Sequence, residues 1–178
     1  MKTTARPTNR HGSAVVTLPS NTEILITRQF DAPAEAVFRA VTTPQLVKRW
    51  WGFDSSVWEV CEIDLRVGGA WRYVIKEGDM EVGFHGVYRE IEAPSRIVST
   101  EAFEGLAAMG ITDDPDSVAS VNTMTLEEVD GVTTMSTLVR HVTKEHRDGH
   151  IESGMEGGMN VSMDRLEDLV TQTDRDSA

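Results

Sequence analysis

Few residues of this chain stand at spacings that perform recognisable chemistry. Glu62 and Asp64 alternate onto one side of a strand pattern, with Glu59 on the other. A carboxyl pair in a desolvated interior can raise one pKa and supply a general base. Arg66 and Arg72 lie close enough, across the Gly68-Gly69 turn, to neutralise that pair as ordinary ion pairs, the plainer reading. His146 and His150 are four apart and share a helical face, so with Glu145 or Asp148 a zinc site can be drawn. The run KEHRDGH lacks the H-E-x-x-H order, and solvated surface histidines without metal are the expectation. Tyr73, Tyr88 and His85 could orient a polar group of a ligand; the alternative is buried groups hydrogen-bonded within the protein. Cys61 is the single cysteine, so no internal disulfide forms, and its apolar setting predicts an inert thiol. There is no G-x-S-x-G elbow, no P-loop and no G-x-G-x-x-G fingerprint. No cofactor is expected.

A second set of residues is apolar. Trp71 and Tyr73 share one face of a strand pattern, and Phe84 and Tyr88 one face of the next. Met124 falls on a later strand, Trp50 ends a short helix, and Met155, Met159 and Met163 recur along the last helix. Rings beside methionines make an adaptable apolar surface. Ordinary core packing explains such a stripe.

These residues are positioned by elements that the pattern marks clearly. Glu23 to Phe30 alternates as a strand, with Ile24, Ile26 and Phe30 on one side. Pro33 suits a first helical turn, and Val37, Phe38 and Val41 follow at helical spacing. Pro44 opens a second short helix carrying Leu46, Val47, Trp50 and Trp51. The period then changes to two, which predicts strands over 57–65, 70–76, 81–91, 96–103, 120–128 and 133–141. Gly68-Gly69, Glu77-Gly78-Asp79, Pro94-Ser95 and Asp130-Gly131 are turn formers, and their short spacing implies antiparallel hairpins. Residues 104–119 break the rhythm and read as a long acidic surface loop, either a lid or a plain insertion. One long helix is predicted over about 144–173, with Ile151, Met155, Met159, Met163, Leu166 and Val170 as its apolar stripe. Glu152, Glu156, Asp164, Glu167 and Asp168 take the other face. Gly154, Gly157 and Gly158 interrupt it, each costing about 1 kcal/mol relative to Ala. Close backbone approach, a kink or room for a ligand would account for them.

The element order is β-α-α-β6-α, an α+β class, and a curved antiparallel sheet cannot bury its concave face alone. The last helix has the length and stripe to fill it. At 178 residues with 39% apolar content, one domain is expected over 23–173, between a flexible tail at 1–22 and a short tail at 174–178. Formal net charge is −12; Lys2, Arg6 and Arg10 give the first 22 residues +3 and leave −15 for the remainder. Such a surface repels phosphate backbones and anionic membranes, so neither nucleic acid nor membrane is an expected partner. Without a long apolar run or a signal-peptide core, a cytoplasmic location is expected.

Three stretches resemble the START-like helix-grip (SRPBCC) superfamily: Thr27-Arg28-Gln29-Phe30-Asp31-Ala32-Pro33, Trp50-Trp51-Gly52, and Asp64-Leu65-Arg66-Val67-Gly68-Gly69. The branch is similar to the domain shared with the C-terminal part of the HSP-90 ATPase activator. The final helix, with Ser153-Gly154-Met155-Glu156-Gly157-Gly158-Met159 and Asp164-Arg165-Leu166-Glu167-Asp168-Leu169, agrees. The resemblance covers about residues 23–172. It implies a curved sheet wrapped around the C-terminal helix with a cavity between them. Trp50, Trp71, Tyr73, Phe84, Tyr88, Met124, Met155, Met159 and Met163 are the candidates for its lining. The function expected is binding of an apolar or amphipathic small molecule, lipid or polyketide-like, with the 104–119 loop over the entry. Two alternatives follow from the same resemblance: a chaperone-associated protein stimulating a heat-shock ATPase, or a cyclase or hydrolase-like enzyme using Glu62, Asp64 or His85. An exposed edge strand would also allow a homodimer.

Overall fold

The computed structural model describes residues 10–107 and 110–176. The chain runs β1 (Val15–Thr17), β2 (Glu23–Phe30), α1 (Ala34–Thr42), α2 (Pro44–Trp50), β3 (Val57–Ile63), β4 (Ala70–Glu77), β5 (Met80–Glu92) and β6 (Arg96–Phe103). It continues through a 3-10 turn (Pro115–Val118) to β7 (Ser120–Val129), β8 (Val132–Arg140), α3 (Lys144–Glu152) and α4 (Met155–Asp176). The strands form one curved antiparallel sheet in the order β1-β2-β8-β7-β6-β5-β4-β3. Register shifts between Trp58 and Val60 and between Tyr88 and Glu90 add bulges, which bend and twist a sheet. The α+β helix-grip class, the two helices after β2 and the six strands of the hairpin series are as the sequence predicts.

Two elements differ from expectation. Residues 1–9 of the expected N-terminal tail lie outside the described residues. Within the remainder of that stretch, Val15–Thr17 pairs antiparallel with Leu25–Thr27 and makes the eighth strand. Three residues are too few to show a period. The predicted single C-terminal helix is two helices, parted at Ser153-Gly154. Gly154 sits at φ +78°, the left-handed conformation that ends helices. The local glycines therefore include a helix stop. Gly157 meets nothing that a Cβ would touch, and Gly158 makes only ordinary contact with Phe53. The expected tail from 174 continues as α4 as far as Asp176, and residues 177–178 lie outside the described residues.

Alternation decides which face each strand buries. Ile24, Ile26 and Phe30 of β2, Met135 and Val139 of β8, Leu126 of β7 and Ile97 of β6 point to the concave side. There they meet Val37 and Phe38 of α1 and Met163, Leu166, Leu169 and Val170 of α4. Phe30, Val37, Ile24 and Leu166 are wholly buried. The closest backbone approaches of α4 to the other elements are to α2, α1, α3 and β2.

Glu167 and Asp164, expected on the outer face of the last helix, instead serve a buried cation. The Arg28 side chain is fully enclosed, its Nη1 donates to Asp164 Oδ1 at 2.8 Å, and Nη2 lies 3.9 Å from Glu167 Oε2. Its guanidinium sits 5.5 Å from the Phe30 ring centre. The Gly12 N–H donates to Asp164 as well, and Arg10 pairs with Asp31 at 2.9 Å. Burial pushes the Glu167 carboxyl up, with Arg28 acting against that. The network fastens α4 and the N-terminal segment to β2.

Candidate functional site: the concave face beneath the last helix

All nine candidate lining residues come together. Trp71, Tyr88 and Met163 belong to the buried core, and Trp50, Tyr73, Phe84, Met124, Met155 and Met159 pack against it half-buried. They do not all have the same surroundings. The Trp50 Nε1 donates to the Ala40 carbonyl at 3.0 Å, so its indole staples α2 to α1. The Trp71 Nε1 donates to the Thr100 carbonyl at 3.2 Å. That indole lies across Gly86, where an added Cβ would stand 2.6 Å from its nitrogen and 1.8 Å from the Thr100 oxygen. Gly86 is thus required for Trp71 to lie flat on the sheet.

Sequence reasoning missed part of this wall. Trp51 stacks at 5.4–5.7 Å from Tyr73, Phe84 and Trp58, and Phe84 lies 5.2 Å from Phe103. Tyr73 is also 4.9 Å from Trp71. Six rings therefore form one continuous patch across β3, β4, β5 and β6. Trp51 was visible in the Trp-Trp pair, and Phe103 shares its parity with Ile97 on β6.

A carboxyl was missed too. Glu101 pairs with Ser120 across the β6–β7 ladder and shares the concave parity of Ile97 and Phe103. Burial pushes its carboxyl up, against a hydrogen bond with the Asn122 side chain that favours the charged form. The Ser120 hydroxyl in turn donates to Asn122 Oδ1 at 3.1 Å. Burial also raises the Tyr73 phenol well above its ordinary range, with charges on Tyr88, Cys61 and Glu101 adding to it. The Tyr88 phenol is pushed up to about 12 by burial and by Cys61. Cys61 is half-buried, its thiol raised by burial, and its Sγ donates to the Pro44 carbonyl at 3.6 Å. At one edge of the face His141 Nε2 and His150 Nδ1 lie 3.0 Å apart. His141 is pulled down to about 4 by burial, then by His150, His146 and Arg147.

The residues weighed for acid–base chemistry are elsewhere. Glu62 and Asp64 are exposed; Asp64 pairs with Arg66 at 2.8 Å, and Arg72 turns to Glu104. His85 projects from the outer face of β5, its Nδ1 2.9 Å from Glu104 Oε1 and its Nε2 3.0 Å from Asp116 Oδ1. Burial works against the His85 imidazolium, but the bonds and charges of Glu104 and Asp116 outweigh it and raise the pKa. The Glu104 carboxyl is lowered to about 2, chiefly by Arg72. These contacts tie the described part of the 104–119 loop to the outer face; Ala108 and Met109 lie outside the described residues. A hollow of about 380 Å³ lined by Leu106, Ile111, Thr112 and Pro115 belongs to that loop. Another of about 150 Å³ lies between α1, α2 and α4. None of the nine candidates lines either hollow. Among the described residues, no group of three or more His, Cys, Asp or Glu could hold a metal ion, and no helix is long and apolar enough to cross a membrane.

The fold recurs in solved structures. A Rhodobacter sphaeroides protein superposes with a TM-score of 0.77 at 23% identity, covering 89% of this chain and 98% of its own. One from Mycobacterium smegmatis gives 0.75 at 22% identity, with 90% and 99% covered. One from Staphylococcus epidermidis gives 0.73 at 27% identity, with 89% and 94% covered. No curated protein matches. Residues 31–171, from the turn after β2 to the last turns of α4, match the family described as Activator of Hsp90 ATPase homolog 1-like protein, and the chain belongs to that family.

Proposed function

We propose that this protein binds an apolar or amphipathic small molecule between the β4–β6 part of the concave face and α4. One observation carries the reading. Tyr73, Phe84, Met124, Met155 and Met159 sit at the centre of the fold and are packed against the core, yet keep part of their surface accessible. Accessible apolar surface of this kind is what a guest would cover. The backbone of α4 approaches α1, α2, α3 and β2 most closely, which favours the β4–β6 side for a guest. Rings and methionine thioethers re-pack around guests of varied shape. A guest that hides ~200 Å² of apolar surface there gains about 5 kcal/mol from released water. A cytoplasmic carrier or sensor is the role that fits, with no cofactor required.

The test is titration with N-phenyl-1-naphthylamine, a neutral dye that brightens in apolar surroundings. Saturable binding is expected, with Met159→Trp weakening it at least tenfold and leaving the melting temperature within a few degrees. Unchanged binding in that variant would remove the reading. Native mass spectrometry of protein from its own host would show a retained guest directly.

The family description supports a second reading, stimulation of a heat-shock ATPase. Direct association with that ATPase and faster ATP turnover are its expected outcomes; unaltered turnover removes it. The enzymatic alternative has lost the groups assigned to it, since Glu62, Asp64 and His85 stand outside the concave face.

A further inference from the structure

Glu101 is a half-buried carboxyl on the same face of β6 as Phe103, with no cation to balance it. Among the described residues, no Lys, Arg or His forms an ion pair with it, and its side-chain hydrogen-bond partner is the neutral Asn122. Several other carboxylates have a cation: Asp164 has Arg28, Glu104 has Arg72, Glu23 has Arg140 and Asp54 has Arg165. A carboxylate that loses water without gaining a counter-charge is costly to keep ionised, so such a group calls for a partner from outside. The register brings Trp71 to its side. Next to the His85–Ala102 pair, Gly86 stands opposite Glu101 and carries no side chain. The Trp71 indole lies over that glycine, and Tyr73 and Phe84 follow it along the wall. The faces of such rings attract cations, indole most strongly.

We propose that the guest is a hydrophobic ammonium compound, its nitrogen against Glu101 and the Trp71 face and its hydrocarbon along Tyr73, Phe84 and the methionines of α4. The inference rests on the binding reading above and names the chemical class that this site selects. Burial of the carboxyl is consistent with it, because an incoming ammonium restores the missing counter-charge. The net charge of −12 would concentrate such cations near the protein.

The experiment uses the full chain and three ten-carbon probes, decylamine, decanol and decanoate, below their aggregation limits, followed by tryptophan fluorescence. Decylammonium is expected to bind at least tenfold more tightly than decanol, with decanoate weakest. Glu101→Gln keeps the shape and the Asn122 partner; it should abolish that preference while leaving decanol affinity within about twofold. Glu62→Gln removes one charge from the outside and should leave the preference intact. Equal affinity for amine and alcohol, a preference that survives Glu101→Gln, or one lost equally in Glu62→Gln would overturn the inference while sparing the pocket. Failure of all three probes to bind would instead overturn the pocket itself, and the inference with it.

Discussion

The concave face has two halves built from the same alternation, and they end differently. Toward β2 and β8, Ile24, Ile26, Phe30, Met135 and Val139 are each at most 6% exposed and share one core cluster with Leu166 and Val170 of α4. Toward β4, β5 and β6, Tyr73, Phe84, Phe103 and Glu101 remain half-buried. The closed half contains mostly aliphatic side chains, Phe30 and one enclosed ion pair; the open half is richer in rings and holds a carboxyl without a cation. The difference comes from α4, which Arg28 holds to β2 through Asp164 and Glu167. A helix fixed along one side of a curved sheet packs tightly there and covers the other side less completely, although Trp71 and Tyr88 are buried on it.

Breaking that fastening should give the largest effect. Arg28→Ala strands Glu167 and Asp164 and is expected to cost about 3–5 kcal/mol in urea unfolding. A loss below 1 kcal/mol would show that the closed half does not depend on the ion pair.

Matched truncations sharpen the contrast. Phe30→Ala in the closed half should cost about 3–5 kcal/mol, and Phe84→Ala in the open half only about 1–2 kcal/mol, because less surface is withdrawn from water. Equal losses would mean the two halves are packed alike.

Acid should loosen the edge where α3 meets β8. The His141 pKa is lowered in the fold from an ordinary 6.5 to about 4, so the unfolded chain takes up a proton first as pH falls. Stability contributed by the neutral ring is complete above pH 6.5 and is lost between there and about 4. Allowing for the ring's partial solvent access, about 1–2 kcal/mol should disappear across that window in thermal melts. His141→Gln should flatten the curve.

The smallest effect belongs to the outer loop. The raised pKa of His85 means its bonds to Glu104 and Asp116 are strongest below pH 6.5 and weaken as pH rises through the folded value. Arg72 remains on Glu104 throughout, so the loop should stay attached but become a few-fold easier to cleave by protease at higher pH. His85→Phe should make cleavage independent of pH.

Most of the strand plan was legible because local chemistry fixes it. Pro33 and Pro44 open helices, and Asp130-Gly131 turns β7 into β8. That the nine candidates gather at one core cluster was legible because strand parity and helical spacing bring such residues together. Other features depend on distance along the chain. Arg28 finds its acids 136 and 139 positions away, which no periodicity records, so Glu167 read as a solvent-facing residue. Glu101 carried a usable signal in its shared parity with Ile97 and Phe103. That signal competes with the ordinary expectation that a strand glutamate points to water. The helix stop at Gly154 lies outside the three readings of the same glycines, a kink being the nearest, and the backbone angle at that residue shows that one helix ends there rather than bends.

The margins of the sheet bear on self-association. At one margin, β1 supplies only three residues; at the other, the offset between Trp58 and Val60 interrupts β3. Among the described residues, neither rim presents a long, straight row of main-chain donors and acceptors. Edge-to-edge stacking of copies into extended ribbons is thereby discouraged, and an acidic chain with a broad open sheet can stay dispersed at high concentration.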